Sequence, residues 1–330
     1  MKIIFNLMNV GLGNNGGSST IVKSANTLIS LGHDVTIIDT SKPCYNFDII
    51  YAKHKIIKNE KDIPNADVII GTGFSSWKST LELPSRCGRK FIYLRGWETW
   101  NASEKVLFSI LSNKNLLIIA NSQCLVQKLS ERGIIPWLVR PGNDFGNFTN
   151  KNLRGDNDYI TLGGLYNFGG KRSTKRTDWI LDTYNKIKKE YPETKLIMFG
   201  CEGTPLFKVD MYYDNPSDSI KNHIYNLIDI WLAPSELEGL HIPPQEAMLT
   251  ECCVVGTCSQ MSGTQDYLID GKTGAVSENN ISDFISKVKV LINSQEMRQE
   301  YGHEGKLKIR SLGDRTENMR NLSRILEINI

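Results

Sequence analysis

The chain has 330 residues, 40% hydrophobic and 23% charged, which is more than one ordinary core organises and predicts a globular protein of two domains. Its net charge of +3 is too small to make nucleic-acid backbone the leading partner, and its apolar runs, such as Leu116 to Ala120, are too short to cross a bilayer. With no signal-peptide layout at the N-terminus a cytoplasmic protein is expected, and seven cysteines without a CxxC pair predict buried free thiols rather than a disulfide framework or a zinc site.

The first forty residues read as strand (KIIFNLM), Gly-rich turn (NVGLGNNGGSST), amphipathic helix (IVKSANTLISLG) and strand (DVTIID), a βαβ unit. Gly11, Gly13 and Gly16 make GxGxxG, and Asp39 ends the next strand, as a nicotinamide-binding Rossmann unit requires. The turn is longer than that fingerprint, however, and the same residues serve a plain strand-to-helix turn with Ser18 or Ser19 as cap. Further short apolar runs, DVIIGT, KFIYLRG and NLLIIANS, extend a parallel sheet through residues 1–145.

Periodicity breaks over residues 146–158, read as the linker. A second series then runs through YITLGGL, the basic loop GGKRSTKR, the helix TDWILDTYNKIKKEY, the strand KLIMFG, IDIWLAPS, PPQEAMLTE and CCVVGT, giving a domain at 159–312. Residues 313–330 are a final helix expected to pack back on the N-terminal domain. The fold class is therefore α/β, with two doubly wound Rossmann-like domains facing a central cleft.

The segment PSELEGLHIPPQEAM places Glu238 on a Gly-containing loop and Glu246 eight positions later in a Pro-initiated helix. Pro243 and Pro244 suit a helix entry, so Gln245 to Met248 should form the first turn, its free N–H groups offering an anion site. Taken alone, two such acids read as a solvent-facing loop and first-turn pair favoured by the helix dipole.

The segment APSELEGLHIPPQEAM resembles the signature of family 4 glycosyltransferases, a Glu, seven residues and a second Glu, on a GT-B fold. YNLIDIWLAPS before it, CCVVGT and SGTQDYLIDGKTGAV after it, and the N-terminal GG and GHDVTII are similar too. The resemblance implies a metal-independent, retaining transfer of a sugar from a nucleotide-diphosphate donor, a UDP-sugar first, to an acceptor hydroxyl of a glycan, with no cofactor. It implies that Glu238 accepts hydrogen bonds from sugar hydroxyls, that Glu246 holds the ribose, and that the N–H groups of Gly239 and Leu240 meet the sugar and diphosphate. Lys175 takes the phosphate-binding position, while Gly163-Gly164 stands where the family has an Arg, leaving Lys171 or Arg172 to complete the cationic clamp. Gly16 and Gly17 would lie near the donor, and Arg95, Trp97 and Glu98 replace a His on the acceptor side. Asp156 and Asp158 have metal-binding DxD spacing but precede a strand, so no metal is expected. The competing readings are transfer to hydroxymethylated bases in DNA, an NAD-dependent oxidoreductase, and a non-catalytic sugar-nucleotide-binding protein.

Overall fold

The computed structural model describes residues 1–155, 159–167, 173–259 and 261–330. The chain divides into two compact units, one of residues 1–142 with 315–330, the other of residues 143–314.

In the first unit the strands are β1 (Lys2–Asn6), β2 (Asp34–Asp39), β3 (Lys53–Ile56), β4 (Val68–Gly71), β5 (Arg89–Leu94), β6 (Leu117–Ala120) and β7 (Trp137–Leu138). All run parallel, in the order β3-β2-β1-β4-β5-β6-β7. The helices are α1 (Gly16–Ser30), α2 (Phe74–Glu82), α3 (Glu104–Leu111) and α4 (Gln123–Ser130). The central strands are buried along nearly their whole length, as covering helices on both faces of a parallel sheet require. Strand order reverses between β1 and β4, where a doubly wound sheet opens a crevice at its C-terminal edge. The cap of α1 is Asn15, whose side chain accepts from Ser18 N, rather than Ser18 or Ser19; Ser18 instead turns its hydroxyl to Gly13 N at 3.0 Å.

The second unit has β8 (Thr161–Leu165), α5 (Thr177–Glu190), β9 (Lys195–Gly200), β10 (Met211–Asp214), α6 (Asp218–Leu227), β11 (Ile230–Ala233), α7 (Ile242–Leu249), β12 (Cys253–Thr257), β13 (Ala275–Ser277), α8 (Ile281–Ile292) and α9 (Gln295–Ser311). Its parallel sheet runs β10-β9-β8-β11-β12-β13, reversing between β8 and β11. The stretch expected as a linker is fastened to this unit through residue 154. Thr149 N and Lys151 N donate to the side chains of Asn222 and Asn226, and the Arg154 guanidinium donates to the carbonyls of Tyr225, Ile228 and Thr250. The chain returns to the first unit as α10 (Arg315–Glu327), where Met319, Leu322, Ile325 and Leu326 share a core with Val22, Ala25 and Leu28 of α1.

Cys87, Cys124, Cys252 and Cys253 are buried free thiols, whereas Cys44, Cys201 and Cys258 are exposed. Among the described residues no helix is long and apolar enough to cross a membrane.

Candidate functional site

Loops leaving β8 and β11 meet at the point where strand order reverses in the second unit. After β11 the chain passes Pro234 and Ser235 and is anchored where Glu236 N donates to Thr174 O at 2.8 Å. Glu238 N then donates to Met261 O, and Gly263 N returns a bond to Glu238 O, each at 3.1 Å. This close approach needs a glycine, because a Cβ at Gly263 would lie 2.1 Å from Gly239 O and 2.7 Å from Leu240 Cα.

The loop after β8 ends in a short helical turn, Ser173–Lys175, that aims Lys175 at Glu238. The Nζ to Oε1 distance is 2.5 Å, with the Glu238 side chain 8% exposed and that of Lys175 26%. Burial works against ionisation of Glu238, but the Lys175 ammonium offsets it, and with help from the Ser235 hydroxyl holds the carboxyl below the usual range. His241 Nε2 lies 3.5 Å from the same oxygen. Burial pushes the His241 imidazole down to about 4 despite the neighbouring carboxylate, so it is neutral at neutral pH and the contact is not an ion pair.

Among the described residues, the N–H groups of Gly239 and Leu240 have no protein acceptor. Both follow Glu238 directly in the loop that Gly263 closes. The helix start contributes less than expected: α7 begins at Ile242, so two of its first three positions are proline and lack an N–H. The polar groups of this loop are therefore its backbone N–H groups at Gly239 and Leu240 and the Lys175–Glu238 pair.

Glu246 is no solvent-facing acid either, being 6% exposed. Its Oε1 lies 3.1 Å from Lys221 Nζ, and its Oε2 accepts from Tyr225 O–H at 2.9 Å. Burial opposes the Lys221 charge, yet Glu246 and Asp218 hold its pKa above the ordinary value. A ribose would have to share Glu246 with these two groups. Lys221 and Tyr225, missed in the sequence, stand four apart on α6, so one helix face carries both.

Glycines 163 and 164 are packing positions: a Cβ would lie 2.3 Å from Ile228 Cδ1 at the first and 2.7 Å from Ile180 Cδ1 at the second. That close fit of α5 and the α6–β11 turn against β8 excludes an Arg side chain at 164. Lys171 and Arg172, the candidates to replace it, and Asp156 and Asp158 lie outside the described residues. The next cation, Arg176, is occupied by Glu236 at 3.0 Å and by the Trp179 ring. Among the described residues no three His, Cys, Asp or Glu side chains form a metal cluster.

In the first unit a pocket of about 270 Å³ opens at the C-terminal ends of β1, β4 and β5, lined by Asn9, Phe74, Arg95, Glu98, Trp100 and Asn101 among others. Arg95 Nη1 donates to Gly17 O at 2.6 Å, fastening the glycine turn to the pocket wall. Glu98 accepts from Phe74 N and from Asn101, and burial raises its pKa. Trp97, expected on the acceptor side, is 4% exposed: its ring packs on Phe108 at 5.0 Å, and its indole N–H donates to Glu104. Trp100, 61% exposed, lines the pocket instead. A Cβ at Gly17 would meet Asn15 Oδ1 at 3.1 Å, while Gly16 borders open space. Asp39 is fully buried, and its Oδ1 accepts from Thr40 N and Ser41 N, so it is not presented to a nicotinamide ribose.

Residues 168–308 match the family described as Glycosyl transferases group 1. The trehalose synthase of Thermococcus litoralis is 27% identical over 150 residues, 40% of this chain and 36% of that protein. The capsular polysaccharide biosynthesis glycosyltransferase CapM of Staphylococcus aureus is 26% identical over 102 residues, 29% of this chain and 26% of its own. The chain thus spans about a third or less of the length of these curated relatives. Over the whole fold it is similar to HepE of Anabaena, solved with UDP and glucose (TM-score 0.80, 12% identity, 99% of each chain). The sucrose-phosphate synthase of Thermosynechococcus elongatus is comparable (TM-score 0.78, 12% identity, 99% of this chain and 98% of that one). The fold is that of the GT-B glycosyltransferases, and the stretch that matches the group 1 model lies within the second unit.

Proposed function

We propose that the protein is a retaining glycosyltransferase that moves a sugar from a UDP-sugar to a hydroxyl of a glycan. The observation that carries this reading is the Lys175–Glu238 pair beside the open N–H groups of Gly239 and Leu240: a cation, a carboxylate and fixed donors within one loop cluster. A nucleotide sugar needs that combination, with positive charge for its diphosphate, an acceptor for its sugar hydroxyls and amides for the charge that grows on the leaving oxygen. HepE, of the same fold, is solved with UDP-glucose.

In the reaction, the diphosphate draws Lys175, and sugar hydroxyls donate to Glu238. The acceptor oxygen bonds to the anomeric carbon on the face from which the phosphate departs. The bond from that carbon to the phosphate oxygen breaks, and the leaving oxygen takes the acceptor proton. No protein nucleophile enters, because Glu238 is held by Lys175 and Ser235 as a hydroxyl acceptor. Glu246, with Lys221 and Tyr225, is assigned to the ribose side, and Lys171 and Arg172 to the remaining phosphate charge.

Acceptor recognition is assigned to the pocket of the first unit, where Trp100 offers an apolar face and Arg95, Glu98 and Asn101 offer polar contacts. Its two charged residues balance, which suits a neutral saccharide better than a phosphate backbone, so DNA is not the acceptor proposed. The buried Asp39 weighs against a dehydrogenase. Mass spectrometry of reactions mixing nucleotide sugars with saccharide acceptors tests the proposal: a hexose added with retained configuration is expected, whereas inverted product or donor left intact with every acceptor contradicts it.

A further inference from the structure

His241 occupies a position that a histidine does not take without cost. Its backbone is left-handed, φ 57° and ψ 77°, a region in which most side chains are strained, and it starts α7 without capping it. Its carbonyl is pinned by Tyr267 O–H at 3.0 Å, which fixes where the ring emerges. The ring is almost wholly buried, yet among the described residues its Nδ1 has no hydrogen-bond partner. Across the loop its Nε2 faces Glu238 Oε1 at 3.5 Å, just beyond a good hydrogen bond.

The same oxygen carries Lys175 at 2.5 Å. On the reading proposed above, donor phosphate draws Lys175 off Glu238 at the moment when Glu238 must accept sugar hydroxyls. A buried carboxylate that loses its counter-charge takes up a proton and then donates where it should accept. A neutral imidazole facing a carboxylate carries its proton on the facing nitrogen, here Nε2. Since Nδ1 holds no partner among the described residues, no polar bond shown there opposes the ring closing the remaining distance.

We propose that His241 is a positioning residue that takes over Oε1 of Glu238 through its Nε2–H when the donor's phosphate engages Lys175, so that sugar recognition survives the transfer of the lysine. The other groups around this carboxylate are Ser235 on its own loop, Tyr267 after the Gly263 turn, and Asp266, which acts on Tyr267. The Ser235 hydroxyl already bonds this carboxylate and the Tyr267 hydroxyl is committed to His241 O, which leaves the His241 Nε2–H as the donor able to take the place of Lys175.

The inference rests on the donor reading, and calorimetric titration of the full chain with UDP and with UDP-glucose separates the two. His241→Gln places an amide N–H near the Nε2 position; His241→Asn tolerates the left-handed backbone but is too short to reach. His241→Asn is expected to weaken UDP-glucose about tenfold relative to UDP, with UDP itself within about twofold of wild type, and His241→Gln to restore the ratio. Between pH 7.5 and 5.5 UDP-glucose affinity should fall in His241→Asn more steeply than in wild type, as Glu238 becomes easier to protonate. An unchanged ratio in His241→Asn, equal losses for both ligands, or failure of His241→Gln to differ from His241→Asn overturns the role of His241 while leaving the donor reading in place. Wild-type protein that binds neither ligand overturns the donor reading and this inference with it.

Discussion

Lys175 and Glu238, brought to 2.5 Å by loops from the neighbouring strands β8 and β11, form an ion pair in which the carboxylate is the buried partner. The asymmetry sets what each substitution does. Lys175→Ala strands a charge with 8% exposure and should cost about 2–4 kcal/mol of stability, whereas Glu238→Ala leaves a lysine that can turn to water and should cost less. Urea unfolding of both variants checks the order; equal costs would mean that the pair is not a buried one in solution.

Glu246 separates two contributions. Tyr225→Phe removes one hydrogen bond and should cost about 1 kcal/mol with UDP affinity kept within about twofold, while Glu246→Ala strands buried Lys221 and removes the ribose acceptor. Thermal unfolding and UDP titration on the same samples distinguish them, and full UDP affinity in Glu246→Ala would remove Glu246 from the donor site.

Gly263→Ala tests the corner that presents the open amides. The new methyl would sit 2.1 Å from a carbonyl oxygen, so backbone must move, with an expected cost of about 1–3 kcal/mol and loss of UDP-glucose binding. Wild-type binding in this variant would show that the Gly239–Leu240 amides are not used.

Stability should fall on acidification in two windows. His241 is neutral when folded, with its pKa near 4, and titrates near 6.5 when unfolded, so the unfolded chain binds the extra proton between these values and about 3 kcal/mol is lost as pH drops from 6.5 to 4. Burial lowers His33 and His54 in the same direction. Glu238, depressed when folded, adds stability above its unfolded pKa of about 4.3 that is lost as pH falls through its folded value. His241→Asn should flatten the first window in denaturant titrations from pH 7 to 4; an unaltered slope contradicts a buried neutral His241.

The two tryptophans of the first unit should behave oppositely. Trp100→Ala is expected to lower kcat/KM for the saccharide acceptor about tenfold without changing UDP binding, and Trp97→Ala to cost about 3–5 kcal/mol of stability. A Trp100→Ala enzyme with unaltered acceptor kinetics would move acceptor recognition out of this pocket.

Both sheets and most helices were legible because buried parallel strands leave continuous apolar runs and Gly-rich turns punctuate them. Lys175 and Glu238 were legible as donor-site candidates through a motif whose order along the chain is selective, but their direct pairing was not, since it depends on two loops meeting across a strand reversal. The anchoring of the described part of the 146–158 stretch was not legible, because asparagine and arginine bonds to backbone have no hydropathy period. Trp97 and Trp100 read alike in sequence; only the turn after β5 decides that one enters the core and the other the pocket. His241 gave no signal, because a left-handed histidine is recognised from backbone angles.

The most direct test is calorimetric titration of UDP-glucose into wild-type protein and Lys175→Ala at pH 7, with circular dichroism confirming that the variant is folded. The account predicts binding by the wild type and at least about hundredfold weaker binding by Lys175→Ala, as removal of a charge-assisted phosphate contact requires. Equal affinity of the two folded proteins for UDP-glucose would contradict a donor site built on Lys175 and Glu238.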